Sequence, residues 1–151
     1  MLFTNHGLTG VALGLHIDNP ALLVPAAVAS HLLLDAAPHF GFSDVHFSSQ
    51  DGTEFRIPKV FITALVDGLC AIGVLIAALG AFPERRGHIL IGWISAVVPD
   101  LLYIPETLFK LKISGKFGDF HKRIQWYERE LGIITELIWL TLMSWVILHY
   151  A

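Results

Sequence analysis

The run from about Pro58 to Phe82 most constrains what this chain can fold into. Lys59 and Asp67 are its only charged residues. A helix that is apolar around its whole circumference has no solvated face, and this run is long enough to cross a bilayer. Composition supports that placement. Hydrophobic residues make up 54% of the 151 and charged residues 15%, whereas about a quarter of a soluble domain is charged. The sequence predicts an integral membrane protein with an all-α fold, a polytopic membrane helix bundle.

The pattern on either side gives the rest of the bundle, as a single domain over 1–151 with no internal repeat or linker. Thr4 to Ile17 is apolar but short of the roughly 20 residues a full span takes. Its Gly7, Gly10 and Gly14 recur at close to helical spacing, which lets another backbone approach. Asp18-Asn19-Pro20 reads as a turn and a new start, with Asn19 as N-cap and Pro20 in the first helical position. The second segment runs from about Ala21 to Pro38, with Pro25 in its first turns. These two form a short N-terminal helical hairpin. A polar loop over Gly41–Phe55 follows, turning at Asp51-Gly52. Three longer spans cover about Pro58–Phe82, His88–Leu111 and Leu131–Tyr150. Between the last two, Lys112–Arg129 is basic and carries Phe117, Phe120, Trp126 and Tyr127, as an interfacial amphipathic helix does.

Basic residues set the orientation. Arg56, Lys59, Lys110, Lys112, Lys116, Lys122, Arg123 and Arg129 fall on one side, the expected cytoplasmic side, and Arg85-Arg86 on the other. The start Met1–His6 lacks the basic residues of a cleavable signal, so the first segment is expected to stay. Cys70 is the single cysteine, which excludes an intrachain disulfide. A net charge of −3 gives no reason to expect a nucleic-acid partner.

The polar residues inside the apolar segments carry the chemistry. In Ser30-His31-Leu32-Leu33-Leu34-Asp35-Ala36-Ala37-Pro38-His39, helical spacing puts His31, Asp35 and His39 at i, i+4 and i+8 on one face. Two imidazoles and a carboxylate could supply most of a zinc coordination shell; the plainer alternative is a helix end near water. Asp67 lies about ten residues into the third segment, roughly 13 Å deep at 1.5 Å per residue. A carboxylate at that depth faces the bundle interior and marks function, or is protonated and bonded to a neighbouring helix. Asp100 has a similar depth, or is satisfied locally after Pro99. His6, at the start of the first segment, faces the same end, unless it is solvated or caps its own turn. His121 lies above the cluster, or is an exposed interfacial residue. Glu136 enters the last span from the same side, or complements the dipole of its own helix. His16, His88 and His149 fall towards the opposite face, and His46 in the loop is expected to be solvated.

Asn5-His6-Gly7-Leu8-Thr9-Gly10, Ser30-His31-Leu32-Leu33-Leu34-Asp35 and Val98-Pro99-Asp100 resemble the motifs of the YdjM-like inner-membrane proteins. That family is described as metal-dependent hydrolases and has an early His, a Ser-His-x-x-x-Asp and a Pro-Asp. The His31–Asp35 step also loosely resembles the helical ligands of zinc-dependent phospholipase C. In the family the Pro-Asp is commonly followed by a further Asp and His. Here Leu101, Leu102 and Tyr103 follow, and Asp67 and His121 are the residues able to compensate. The resemblance implies a prokaryotic inner-membrane protein with a metal site.

Two functions fit. In the first, His6, His31, Asp35, Asp67, Asp100 and His121 bind one or two divalent ions, zinc foremost, which activate water. His39 or Glu136 then handles the proton. Membrane lipids are the expected surroundings, and a lipid-linked substrate or other phosphoester the target, with Lys122 and Arg123 drawing in the headgroup. No Gly-x-Ser-x-Gly motif suggests a serine mechanism. In the second, the chain is a non-catalytic membrane protein that holds a metal or handles ions or protons, as a homo-oligomer joined through its glycines. Transport needs polar groups at both faces. These cluster at one, which favours the hydrolase.

Overall fold

The computed structural model describes residues 1–41, 59–102, 115–125 and 130–150. The expected loop with its Asp51-Gly52 turn and His46, the end of the fourth segment from 103 to 111, and Trp126 and Tyr127 lie outside the described residues. Every regular element among those described is a helix: α1 (Phe3–His16), α2 (Pro20–Ala36), α3 (Lys59–Ala81), α4 (Arg86–Leu101), α5 (Gly115–Ile124) and α6 (Ile133–Leu148). Short 3₁₀ turns over Pro83–Arg85 and Glu130–Gly132 lead into α4 and α6.

The shortest apolar segment is the centre of the fold. α1 packs against α2, α3, α4 and α6, and Asn5 through Ala12, Gly14 and Leu15 are buried. Its glycines make that possible. A Cβ on Gly10 would stand 2.5 Å from the Gly92 carbonyl oxygen, and one on Gly14 2.5 Å from that of His88. Both are closer than any side chain can come, so α1 and α4 cross backbone on backbone. The apolar core gathers at the α1 C-terminal half, where Val11 and Leu15 meet Ala78 of α3 and Ile89 of α4. Arg85 closes that end. It donates to the free carbonyls of Leu15 at 2.7 Å and Gly14 at 3.2 Å, and it pairs with Asp18. Hydrogen bonding to the Arg85 guanidinium, and its charge, hold the Asp18 carboxyl below the usual carboxylate range.

α2 starts as its sequence requires, with the Asn19 side chain accepting from the Ala21 N–H at 2.9 Å and Pro20 in the first turn. Four of its five buried residues, Leu23, Ala27, His31 and Asp35, follow one another at i+4, and Leu34 flanks them. The helix stops at Ala36, two residues before the expected end at Pro38. Pro38 disfavours a helical conformation for the residue before it, and Ala37 is extended. His39 therefore leaves the stripe that helical spacing assigned it.

Only α3, over Ile62–Ala81, is long and apolar enough to cross a membrane among the described residues. Its Ile62, Leu65, Val66, Leu69, Ile72 and Ile76 are exposed. The last segment is shorter than its expected bounds of Leu131–Tyr150. α6 begins at Ile133, after the 3₁₀ turn over Glu130–Gly132, and Gly132 lies so close to the His39 backbone that a Cβ would collide with the His39 carbonyl.

Candidate metal centre

α1 starts half-buried among the other helices, and its first N–H groups lack partners within their own helix. Two carboxylates from other helices supply them. Asp67 on α3 accepts from the Phe3 N–H at 2.6 Å, the Thr4 N–H at 3.0 Å and the Thr4 hydroxyl at 2.6 Å. Glu136 on α6 accepts from the Leu2 N–H at 3.0 Å, the Asn5 side-chain amide at 2.6 Å and the Phe40 N–H at 3.3 Å. Negative charge at a helix N-terminus also complements its dipole. Glu136, fully buried and in the first turn of its own helix α6, thus also serves the start of α1.

The third carboxylate at this end, Asp35 on α2, is the hub of a different set. Its Oδ2 lies 2.5 Å from His121 Nε2 on α5 and 3.2 Å from His31 Nε2. The two imidazole Nε2 atoms are 3.1 Å apart, and Asp100 Oδ1 on α4 is 3.6 Å from His31 Nε2. Ligand atoms of His31, Asp35, Asp100 and His121 all fall within 4.8 Å of one another. His31, Asp35 and His121 are buried, while the Asp100 side chain is 27% exposed.

The donor chemistry of this set fits a cation. His31 Nδ1 donates to the Ala96 carbonyl at 2.7 Å, which leaves the lone pair on Nε2. That lone pair faces the Asp35 carboxylate and the second imidazole, so three donor atoms point at one place. One cation meets all three. Ligands about 2.0–2.2 Å from a tetrahedral ion stand about 3.3–3.6 Å apart, close to the spacings at His31, while the His121–Asp35 pair would have to open to admit it. A histidine ligand whose other nitrogen donates to a carbonyl is also the usual arrangement at such ions.

His6 approaches from the other oxygen of Asp35. Its Nε2 is 3.0 Å from Oδ1, where the Met1 amino group also donates at 2.6 Å. Its ring stacks on His31 with centroids 3.9 Å apart. His6 is thus placed to fix the carboxylate with Oδ2 turned to the centre. His39 is buried, with Nδ1 donating to the Ala37 carbonyl at 2.8 Å. Of the eight residues the sequence singled out, the fold gathers His31, Asp35, Asp100 and His121, sets His6 behind them, and commits Asp67 and Glu136 to α1. One participant went unnoticed. Gln125 donates to Asp35 Oδ2 at 3.0 Å, and its only sequence signal is the i+4 step from His121.

This division has a measurable consequence. Asp67→Ala strands two half-buried N–H groups and a hydroxyl, and is expected to cost about 1–3 kcal/mol. Asp67→Asn, which keeps an acceptor, is expected to cost less. Metal affinity should stay near wild type in both; thermal unfolding in detergent and metal titration of the same samples check it. Loss of metal from a folded Asp67→Asn variant would return Asp67 to the ligand set.

A groove of about 680 Å³ opens beside this first turn between α3 and α6, lined by Ile62, Val66, Val74, Leu137 and Leu140, with Asp67 and Glu136 in its wall. Compared with family models, curated proteins and solved structures, the chain matches none.

Proposed function

We propose that this chain is a membrane-embedded, metal-dependent hydrolase acting on a phosphoester, in keeping with the resemblance to the YdjM-like family. The observation that carries it is the convergence of two histidine Nε2 atoms and Asp35 Oδ2 in one buried place, with Asp100 beside them. The polytopic bundle belongs to the same reading, supported by the apolar exposed faces of α3 and α6. When bound, a divalent cation, zinc foremost, supplies Lewis acidity towards a phosphoryl oxygen and makes water a stronger acid.

The protein's own residues do the remainder. His31, Asp35 and His121 hold the ion, Ala96 and His6 orient His31 and Asp35, and buried surroundings keep those contacts strong. Asp100 is the group left to take the proton. It is the most exposed member of the four and the farthest from His31, and no hydrogen bond commits its carboxylate among the described residues. Glu136 and Asp67 have theirs occupied. The exposed apolar faces of α3 and α6 favour a lipid-linked phosphoester over a water-soluble one.

Asp100→Asn is accordingly expected to retain metal and to lose roughly 10²–10⁴-fold in turnover, the usual worth of a general base. A phosphatase and phospholipid-hydrolysis screen on detergent-purified wild type and variant measures it. Equal turnover by the two proteins would remove Asp100 from the chemistry. A metal-loaded wild type inactive on every phosphoester would instead favour a binding role.

A further inference from the structure

We infer that Gln125 is itself a ligand of the centre, a neutral oxygen donor that gives way to an incoming substrate oxygen; this rests on the metal-centre reading above. Gln125 follows α5 directly, one turn beyond His121, and its backbone N–H bonds back to the His121 carbonyl at 3.3 Å. Its side-chain nitrogen stands 3.0 Å from Asp35 Oδ2 and 3.4 Å from His121 Nε2. Those are two of the three atoms on which a cation would be held. The carboxamide thus lays an N–H, the positive end of its dipole, where the positive ion belongs. With the ion in place that N–H would face like charge, and a half-turn of the carboxamide replaces it with Oε1 at no change in shape.

Charge explains why an amide suits this position. Asp35 is the charged ligand, with the Met1 amino group on its far oxygen and Asp100 close by, and the two imidazoles bind as neutral ligands. A third carboxylate would hold the ion more tightly and give way less readily to a substrate oxygen. Gln125 adds a donor without adding charge, and a neutral amide oxygen is exchanged more readily than a carboxylate. It is also half-exposed, at the edge from which a substrate would enter.

Cobalt(II) titration of detergent-purified wild type, Gln125→Ala and Gln125→Glu, followed by the visible d–d bands, tests this without any turnover assay. The bands strengthen as coordination number falls. Gln125→Ala is expected to bind cobalt about tenfold more weakly and to show stronger bands, with helicity by circular dichroism unchanged. Gln125→Glu restores an oxygen donor and is expected to keep the wild-type bands with tighter binding. If both variants match wild type in bands and affinity, or if Gln125→Glu binds more weakly, Gln125 is no ligand although the centre stands. If wild type binds no cobalt, the metal reading falls and this inference with it.

Discussion

Gly10→Val is expected to leave no folded protein in detergent, whereas Gly68→Ala and Gly73→Ala are expected to be neutral or to raise the unfolding temperature. The difference lies in what a new Cβ meets. At Gly10 it would stand 2.5 Å from the Gly92 oxygen, with the Gly92 carbonyl carbon and Trp93 Cα both at 2.8 Å. These are backbone atoms of a packed helix, which cannot swing aside as a flexible side chain would. Separating α1 from α4 to make room would also pull His6 and Asn5 away from their partners. Overpacking alone costs about 1–3 kcal/mol, and the lost crossing adds to it, against a total stability of about 5–15 kcal/mol. At Gly68 and Gly73 nothing lies within 4 Å. There alanine gains up to about 1 kcal/mol of helix propensity. Size-exclusion profile and thermal unfolding of the three variants measure the contrast. A folded Gly10→Val protein would mean that α1 is not held against α4 as described.

Asp35→Ala is expected to abolish metal binding while leaving the protein assembled but weakened. Asp35 receives His6 and the Met1 amino group on one oxygen and His31, His121 and Gln125 on the other. Removing it deletes a ligand and frees the remaining groups to move. The loss in affinity should exceed the roughly 10–100-fold typical of outer contacts. α5 reports the same change in a second way. Among the described residues α5 packs against α2, and its fully buried members are Gly118 and His121. A helix held largely by a polar contact should become more accessible to protease when that contact goes. Asp35→Asn keeps the shape and one oxygen, so it should lose metal with a smaller loss of stability.

Much of this was legible in the chain. The α2 stripe follows from i+4 spacing, its start from Asn19-Pro20, the close approach of α1 from its glycines, and α3 from an uninterrupted apolar run. The roles of Asp67 and Glu136 were not. A carboxylate in an apolar segment announces that it needs a partner but not which one, and here the partners are backbone N–H groups of α1, which leave no mark on a sequence. The Ala96 carbonyl that orients His31 is invisible for the same reason. His39 was misplaced because the i+8 spacing was counted through Pro38, which ends the helix first. Gln125 could have been found by extending the i+4 step from His121, had an amide been weighed as a possible ligand beside acids and imidazoles.

Metal content of wild type and Asp35→Ala, purified in detergent without chelator and compared at equal helicity, tests the centre most directly. About one tightly held divalent ion per chain in wild type and none in the variant is the expected result. Wild type that retains no metal after incubation with zinc, cobalt or manganese would contradict it, and would leave Asp35 as a buried proton-sharing hub instead.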